Sequence, residues 1–107
     1  MIIQGSNAPI LLTFESSMDS ITDFSAALVS RKLVDKTSIL KHWEKADIEV
    51  NETAVALPLT QEETMEFPSG VCSLEIKWVD EDNVHFADVV NINVEHRADK
   101  TKLAIGG

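Results

Sequence analysis

The clearest regularity in the chain lies between residues 72 and 78, where Cys72, Leu74, Ile76 and Trp78 alternate with Ser73, Glu75 and Lys77. A period of two places the first set on one face of a strand and the second on the other. The same period recurs at Ile10, Leu12 and Phe14, and again at Phe24, Ala26 and Leu28. The run from Ser38 to Trp43 reads as a strand with Ile39 and Trp43 on one face. Val55, Leu57 and Leu59 share a face in a further strand, and Pro58 marks its end. Asn51-Glu52-Thr53 sits between two such runs as a hairpin turn. The stretch from Glu15 to Asp23, rich in Ser and Asp, reads as a loop, and residues 32 to 37 break the alternation. Asp80 to Asn83 turns the chain, and residues 84 to 94 return as a hairpin partner. That last strand carries two registers: Ala87 and Val89 suit one, while Val90, Ile92 and Val94 suit the other. A β-bulge near Asp88 reconciles them.

One segment breaks the strand pattern. Thr60 is followed three residues later by Glu63, the spacing of a capping box. Glu62 and Glu63 suit the positive end of a helix. Pro68 and Gly70 stop that helix within about two turns, and Met65 and Phe67 are the apolar residues available to pin it. About seven short strands with regular turn signals predict an all-β, antiparallel, immunoglobulin-like sandwich with one short helix near residues 60–67. The helix carries the chain from one sheet to the other before the penultimate strand. A small closed barrel is the alternative. The sandwich domain is expected over residues 1–97, followed by a C-terminal tail at 98–107.

Composition narrows the chemistry. The 107 residues are 44% hydrophobic and 25% charged, which fits one domain with one core. The net charge of −9 repels phosphate backbones and argues against nucleic acid. A single cysteine, Cys72, rules out an internal disulfide and favours a reducing compartment. The N-terminal residues carry no basic region and no long apolar run, so neither a signal peptide nor a membrane span is expected. The expected location is a cytoplasm.

From Leu57 onward the chain, "LPLTQEETMEFPSGVCSLEIKWVDEDNVHFADVVNINV", resembles small proteins encoded in prophages of Gram-positive bacteria. The shared pattern is a strand ending in Leu-Thr, an acidic Gln-Glu-Glu-Thr turn, an aromatic and a Gly, then a strand ending near Trp. The opening "IIQGSNAPILLTF" is similar to the start of phage baseplate upper-protein N-terminal domains, a polar and Gly-containing lead into a hydrophobic strand. The resemblance spans most of the chain as strands and turns, without a chemical motif. It departs from the pattern at Cys72 and at "VHFADVV". It implies an immunoglobulin-like module of a phage tail or baseplate, located in the cytoplasm of a bacterial host or incorporated in a virion, and no enzyme activity.

Candidate chemistry is sparse. His42, His85 and His96 are far apart and lack the closely spaced ligand pairs of a zinc site. Cys72 faces inward in the best-patterned strand and reads as a small core residue. "DEDN" lacks the Gly and distal Glu of a calcium loop, and Asp47, Glu49 and Glu52 make no better cage. Glu62 and Glu63 fit helix capping better than acid–base catalysis, which needs one carboxyl desolvated. No nucleophile elbow, phosphate loop or dinucleotide fingerprint is present in the sequence. No cofactor and no metal is expected, and the chain is not expected to be an enzyme. Asn51-Glu52-Thr53 matches a glycosylation sequon, which matters only in a secreted protein. Of the two tryptophans, Trp78 is expected at the sandwich centre. Exposed indoles would instead support binding of a cell-surface glycan, although two Trp and no Tyr make a thin platform.

The tail "RADKTKLAIGG" reverses the character of the chain, with Arg97, Lys100 and Lys102 followed by apolar Leu103 and Ile105. Thr101, Leu103 and Ile105 have the period of a strand and are the candidate partner-binding residues, by docking or by strand addition. The expected function is a non-enzymatic phage or prophage structural module working through protein–protein contacts. Its expected partners are other phage structural proteins or further copies of itself, allowing a homo-oligomer. The alternative is a carbohydrate-binding sandwich that recognises a cell-surface glycan. A small hydrolase ranks last.

Overall fold

The computed structural model describes residues 2–33 and 36–96. In chain order they form β1 (Ile2–Ile3), β2 (Ile10–Thr13), β3 (Ile21–Leu33), β4 (Lys36–Glu44), a single 3-10 turn (Lys45–Asp47), β5 (Glu49–Asn51), β6 (Ala54–Leu57), α1 (Gln61–Glu66), β7 (Gly70–Asp80) and β8 (Asn83–Glu95). These eight strands make two sheets. One has five strands in the order β1-β8-β7-β3-β4, and the other has three in the order β2-β6-β5. All pairings are antiparallel except β1 with β8, where Ile2 sits opposite Val94 and Ile3 opposite Glu95.

Lettered as in the immunoglobulin fold, β2, β6 and β5 take the places of strands B, E and D. β8, β7, β3 and β4 take those of G, F, C and C′. The helix α1 joins β6 in the small sheet to β7 in the large one, so it makes the crossover before the penultimate strand. The all-β sandwich with one helix near residues 60–67 is therefore the observed fold, with eight strands where about seven are expected. The extra one is the two-residue β1.

The core is built from the alternating positions. Phe24, Ala26 and Leu28 of β3, Cys72, Leu74 and Ile76 of β7, and Val55 and Leu57 of β6 are all buried. Trp43 of β4 is fully buried, and its indole N–H donates to the carbonyl of Pro58 at 2.8 Å. A buried indole needs such a partner, and here it ties the large sheet to the end of β6. The expectation for Trp78 is corrected. Trp43 holds the centre, while Trp78 is half-buried at the rim. There its ring stacks on His85 with centroids 5.4 Å apart and meets Phe14 edge-on at 5.0 Å.

Two bulges explain where simple alternation misleads. In β4, Lys41 pairs with Leu28 but Ile39 pairs with Val29, so Leu40 is an extra residue. The inserted residue reverses the face, leaving Ile39 67% exposed while Trp43 is buried. The two do not share a face. In β8, Val89 pairs with Leu74 and Ile92 with Cys72, so two residues of β8 occupy the space opposite Ser73. The bulge that reconciles the two registers therefore lies at Val90–Asn91, a little beyond Asp88. Asn91 has φ 61°, a left-handed conformation that Asn tolerates better than most residues. The loop expected from Glu15 to Asp23 is shorter than its composition suggests. Met18 is buried, and β3 already begins at Ile21.

Leu74 is fully enclosed between β3 and β8. Leu74→Ala removes that burial and leaves a cavity in a sheet pinned on both sides. The expected loss is about 2–5 kcal/mol, read as a lowered urea midpoint with an unchanged slope. An unchanged midpoint would contradict this register of β7.

Candidate functional site

The capping box at α1 is present in both directions. Thr60 Oγ accepts from the Glu63 amide at 3.1 Å, and the Glu63 carboxylate accepts from the Thr60 amide at 2.8 Å. Glu63 also pairs with Lys41 of β4. Lys41 in turn lies 5.8 Å from the centroid of the Trp43 ring. On its other side the helix is held by polar contacts where apolar pins were expected. Phe67 is buried as expected, but Met65 is only half-buried, and Thr64 carries the contact instead. Its buried hydroxyl donates to the Ser6 carbonyl at 2.6 Å and accepts from the Gly5 amide at 3.1 Å. Gln4 adds a bond from its side-chain amide to the Phe67 carbonyl at 2.7 Å. Gly5 has φ 87°, which brings its amide to Thr64 at little cost only because it lacks a Cβ. A period-two reading cannot find this network, because its members are backbone groups of a loop and a hydroxyl on a short helix.

The titratable candidates are each accounted for. The three histidines are exposed. His42 shares a 2.9 Å hydrogen bond with Ser25, and His85 lies against Trp78. Cys72 is buried, and burial pushes its thiol pKa up, away from the reactive thiolate. Burial pushes the Glu63 carboxyl up, but the Lys41 ammonium and the Thr60 backbone and hydroxyl outweigh it, and the net direction is down. "DEDN" is the β7–β8 hairpin turn, with Glu81 at φ 57°. Among the described residues no group of three or more His, Cys, Asp or Glu side chains could hold a metal ion. Among the same residues no helix is long and apolar enough to cross a membrane.

What the surface does offer is apolar area in two places. The first is the outer face of the five-stranded sheet. Phe86 and Val84 of β8 and Ile39 of β4 project there, exposed, among Lys77, Glu75 and Asp88. Cross-strand pairs Lys77–Phe86 and Glu75–Asp88 set that face. The second is a cleft of about 330 Å³ between the edge of β2 and the inner face of β8, lined chiefly by Ile3, Ile10, Leu12, Val89 and Ile92. Both are shapes for contact with apolar groups. The candidate partner-binding residues Thr101, Leu103 and Ile105 lie outside the described residues.

No protein-family model, no curated protein and no solved structure matches the chain. The sandwich topology is thus a property read from this chain's own sheets.

The Glu63 carboxylate gives a pH signature. Its pKa in the folded protein lies below the ordinary value, so its contribution is present above the unfolded pKa and lost as pH falls through the folded one. Glu63→Gln keeps an acceptor for the Thr60 amide but loses the charge that faces Lys41. The variant is expected to be less stable than the parent at neutral pH by up to about 1 kcal/mol, the scale of a partly exposed pair. The gap should close below about pH 4. Urea midpoints at neutral and acid pH check this, and an equal gap at both would contradict it.

Proposed function

We propose that the chain is a non-enzymatic structural or assembly module of a phage or prophage, associated with a tail or baseplate and acting through protein–protein contacts. The observation that carries the contact reading is the outer face of the large sheet. Phe86 is 74% exposed and Ile39 67% exposed there, beside Val84 and a mixed set of charges. Large apolar side chains on a regular sheet face, interspersed with Lys77, Glu75 and Asp88, have the composition of a protein-binding patch. The placement in a phage particle rests on the resemblance of "LPLTQEETMEFPSGVCSLEIKW" and "IIQGSNAPILLTF" to prophage and baseplate proteins.

The glycan-binding alternative needs an indole with a free face. Trp43 is buried in the core, and Trp78, although it borders a pocket with Asp23, has its ring stacked on His85. These placements favour protein contact over sugar stacking. The direct test is mass spectrometry of particles purified after prophage induction in the strain that encodes the chain. The chain is expected in tail-bearing particles at a fixed ratio to other tail proteins. Its absence from particles, with the free protein present in the lysate, would overturn the phage placement.

A further inference from the structure

The outer face of the five-stranded sheet combines apolar exposure with charge of one prevailing sign. Its rows run across β8, β7, β3 and β4. In one row Phe86 stands beside Lys77, Ser25 and Glu44, and in the next Asp88 stands beside Glu75, Ala27 and His42. The small side chains of β3, Ser25 and Ala27, leave a hollow of about 350 Å³ between Phe86 and Asp88 on β8 and Ile39 on β4. A second hollow of about 410 Å³ adds Asp23, Val79 and Val84, and shares Ser25, Lys77 and Phe86 with the first. The two form one depression across the sheet, with Phe86 common to both.

The charges of this face are unbalanced. Asp23, Glu44, Glu75 and Asp88 are exposed on it against Lys77. Glu75 and Asp88 sit directly opposite each other on neighbouring strands, and like charges so placed destabilise a sheet. Among the described residues neither has an ion-pair partner. A cation arriving from outside finds both carboxylates free and relieves their repulsion. The Phe86 ring beside them, 74% exposed, adds a surface on which a guanidinium can stack.

We infer that this face docks a partner protein through a surface segment in which arginine side chains flank apolar ones. Charge complementarity selects this occupant. A second copy carries a net charge of −9 and is repelled by the same carboxylates, as is a phosphate backbone. A guanidinium suits the hollow better than an ammonium does. It is planar, bonds carboxylate oxygens in pairs and stacks on an aromatic ring, whereas an ammonium is a compact, strongly hydrated charge. The apolar side chains of the segment cover Phe86, Val84 and Ile39, while the charges fix orientation and speed encounter. This inference rests on the protein-contact reading of the face and not on the phage placement.

Two synthetic peptides of equal length test it, one with Arg flanking Leu and the other with Glu in place of every Arg. Each is titrated into the isotope-labelled full-length chain and followed by NMR. The Arg peptide should shift the amide signals of Glu75, Lys77, Phe86 and Asp88 saturably, and the Glu peptide should not. Phe86→Ala should weaken binding of the Arg peptide. The double variant Glu75→Lys, Asp88→Lys should weaken it about tenfold or more. All three positions are exposed, so the Trp43 indole signal should stay in place as the mark of an intact fold. Equal shifts at this face from both peptides would overturn the arginine-bearing partner and leave the face a protein contact. Arg-peptide shifts that fall on acidic residues elsewhere, or that survive the double variant, would overturn the docking site. No shift at this face from either peptide would overturn the inference together with the contact reading. A dimer in light scattering that Phe86→Ala dissolves would assign the face to a second copy and overturn the foreign partner.

Discussion

Two sheets of unequal size share one core, and that inequality shapes most of the molecule. The three central strands of the large sheet are long, with 13 residues in β3, 11 in β7 and 13 in β8, whereas those of the small sheet have three or four. Strands this short cannot cover the whole inner face of the large sheet. The inner face is buried at Phe24, Ala26 and Leu28 of β3, Trp43 of β4 and Cys72 and Leu74 of β7, and less completely at Ala87, Val89 and Ile92 of β8. The residues the small sheet does not reach become the rim stack of Trp78 and His85 and the apolar cleft at Val89 and Ile92.

The helix closes one end of this arrangement and does so with polar chemistry. A six-residue helix has too little apolar face to anchor itself. Its capping box satisfies the first turn, Glu63 reaches Lys41 on β4, and Thr64 holds the loop between β1 and β2. The N-terminal loop, the crossover and the C′ strand are thereby joined through side chains on one helical turn. The Trp43 indole, bonded to Pro58 just before that turn, sets the distance between the sheets at the same end.

Much of this was legible in the pattern of residues. The strand from Cys72 to Trp78, the capping box, the Asn51–Thr53 turn and the sheet-to-sheet role of the helix follow from period, spacing and turn chemistry. The exceptions have a common physical origin. A bulge adds one residue and reverses every later side chain, and nothing in the local composition at Leu40 marks one. Alternation therefore puts Ile39 with Trp43 although they face opposite ways. At Val90–Asn91 the conflict between two apolar registers did signal a bulge, because both halves of β8 are apolar enough to declare their face. The Thr64 contacts were invisible because long-range bonds to backbone groups leave no periodic trace. Function was the least legible, since an exposed apolar face such as that of Phe86 and Ile39 carries no fixed motif.

The unequal sheets close around Trp43 and leave the rim to Trp78. Acrylamide quenching of Trp43 in a Trp78→Phe variant measures this most directly. Weak quenching with blue-shifted emission in the folded protein, rising to that of free indole on unfolding, is the predicted result. Strong quenching in the folded state would place Trp43 at the surface and contradict the β4 bulge, the sheet packing and the core built upon them.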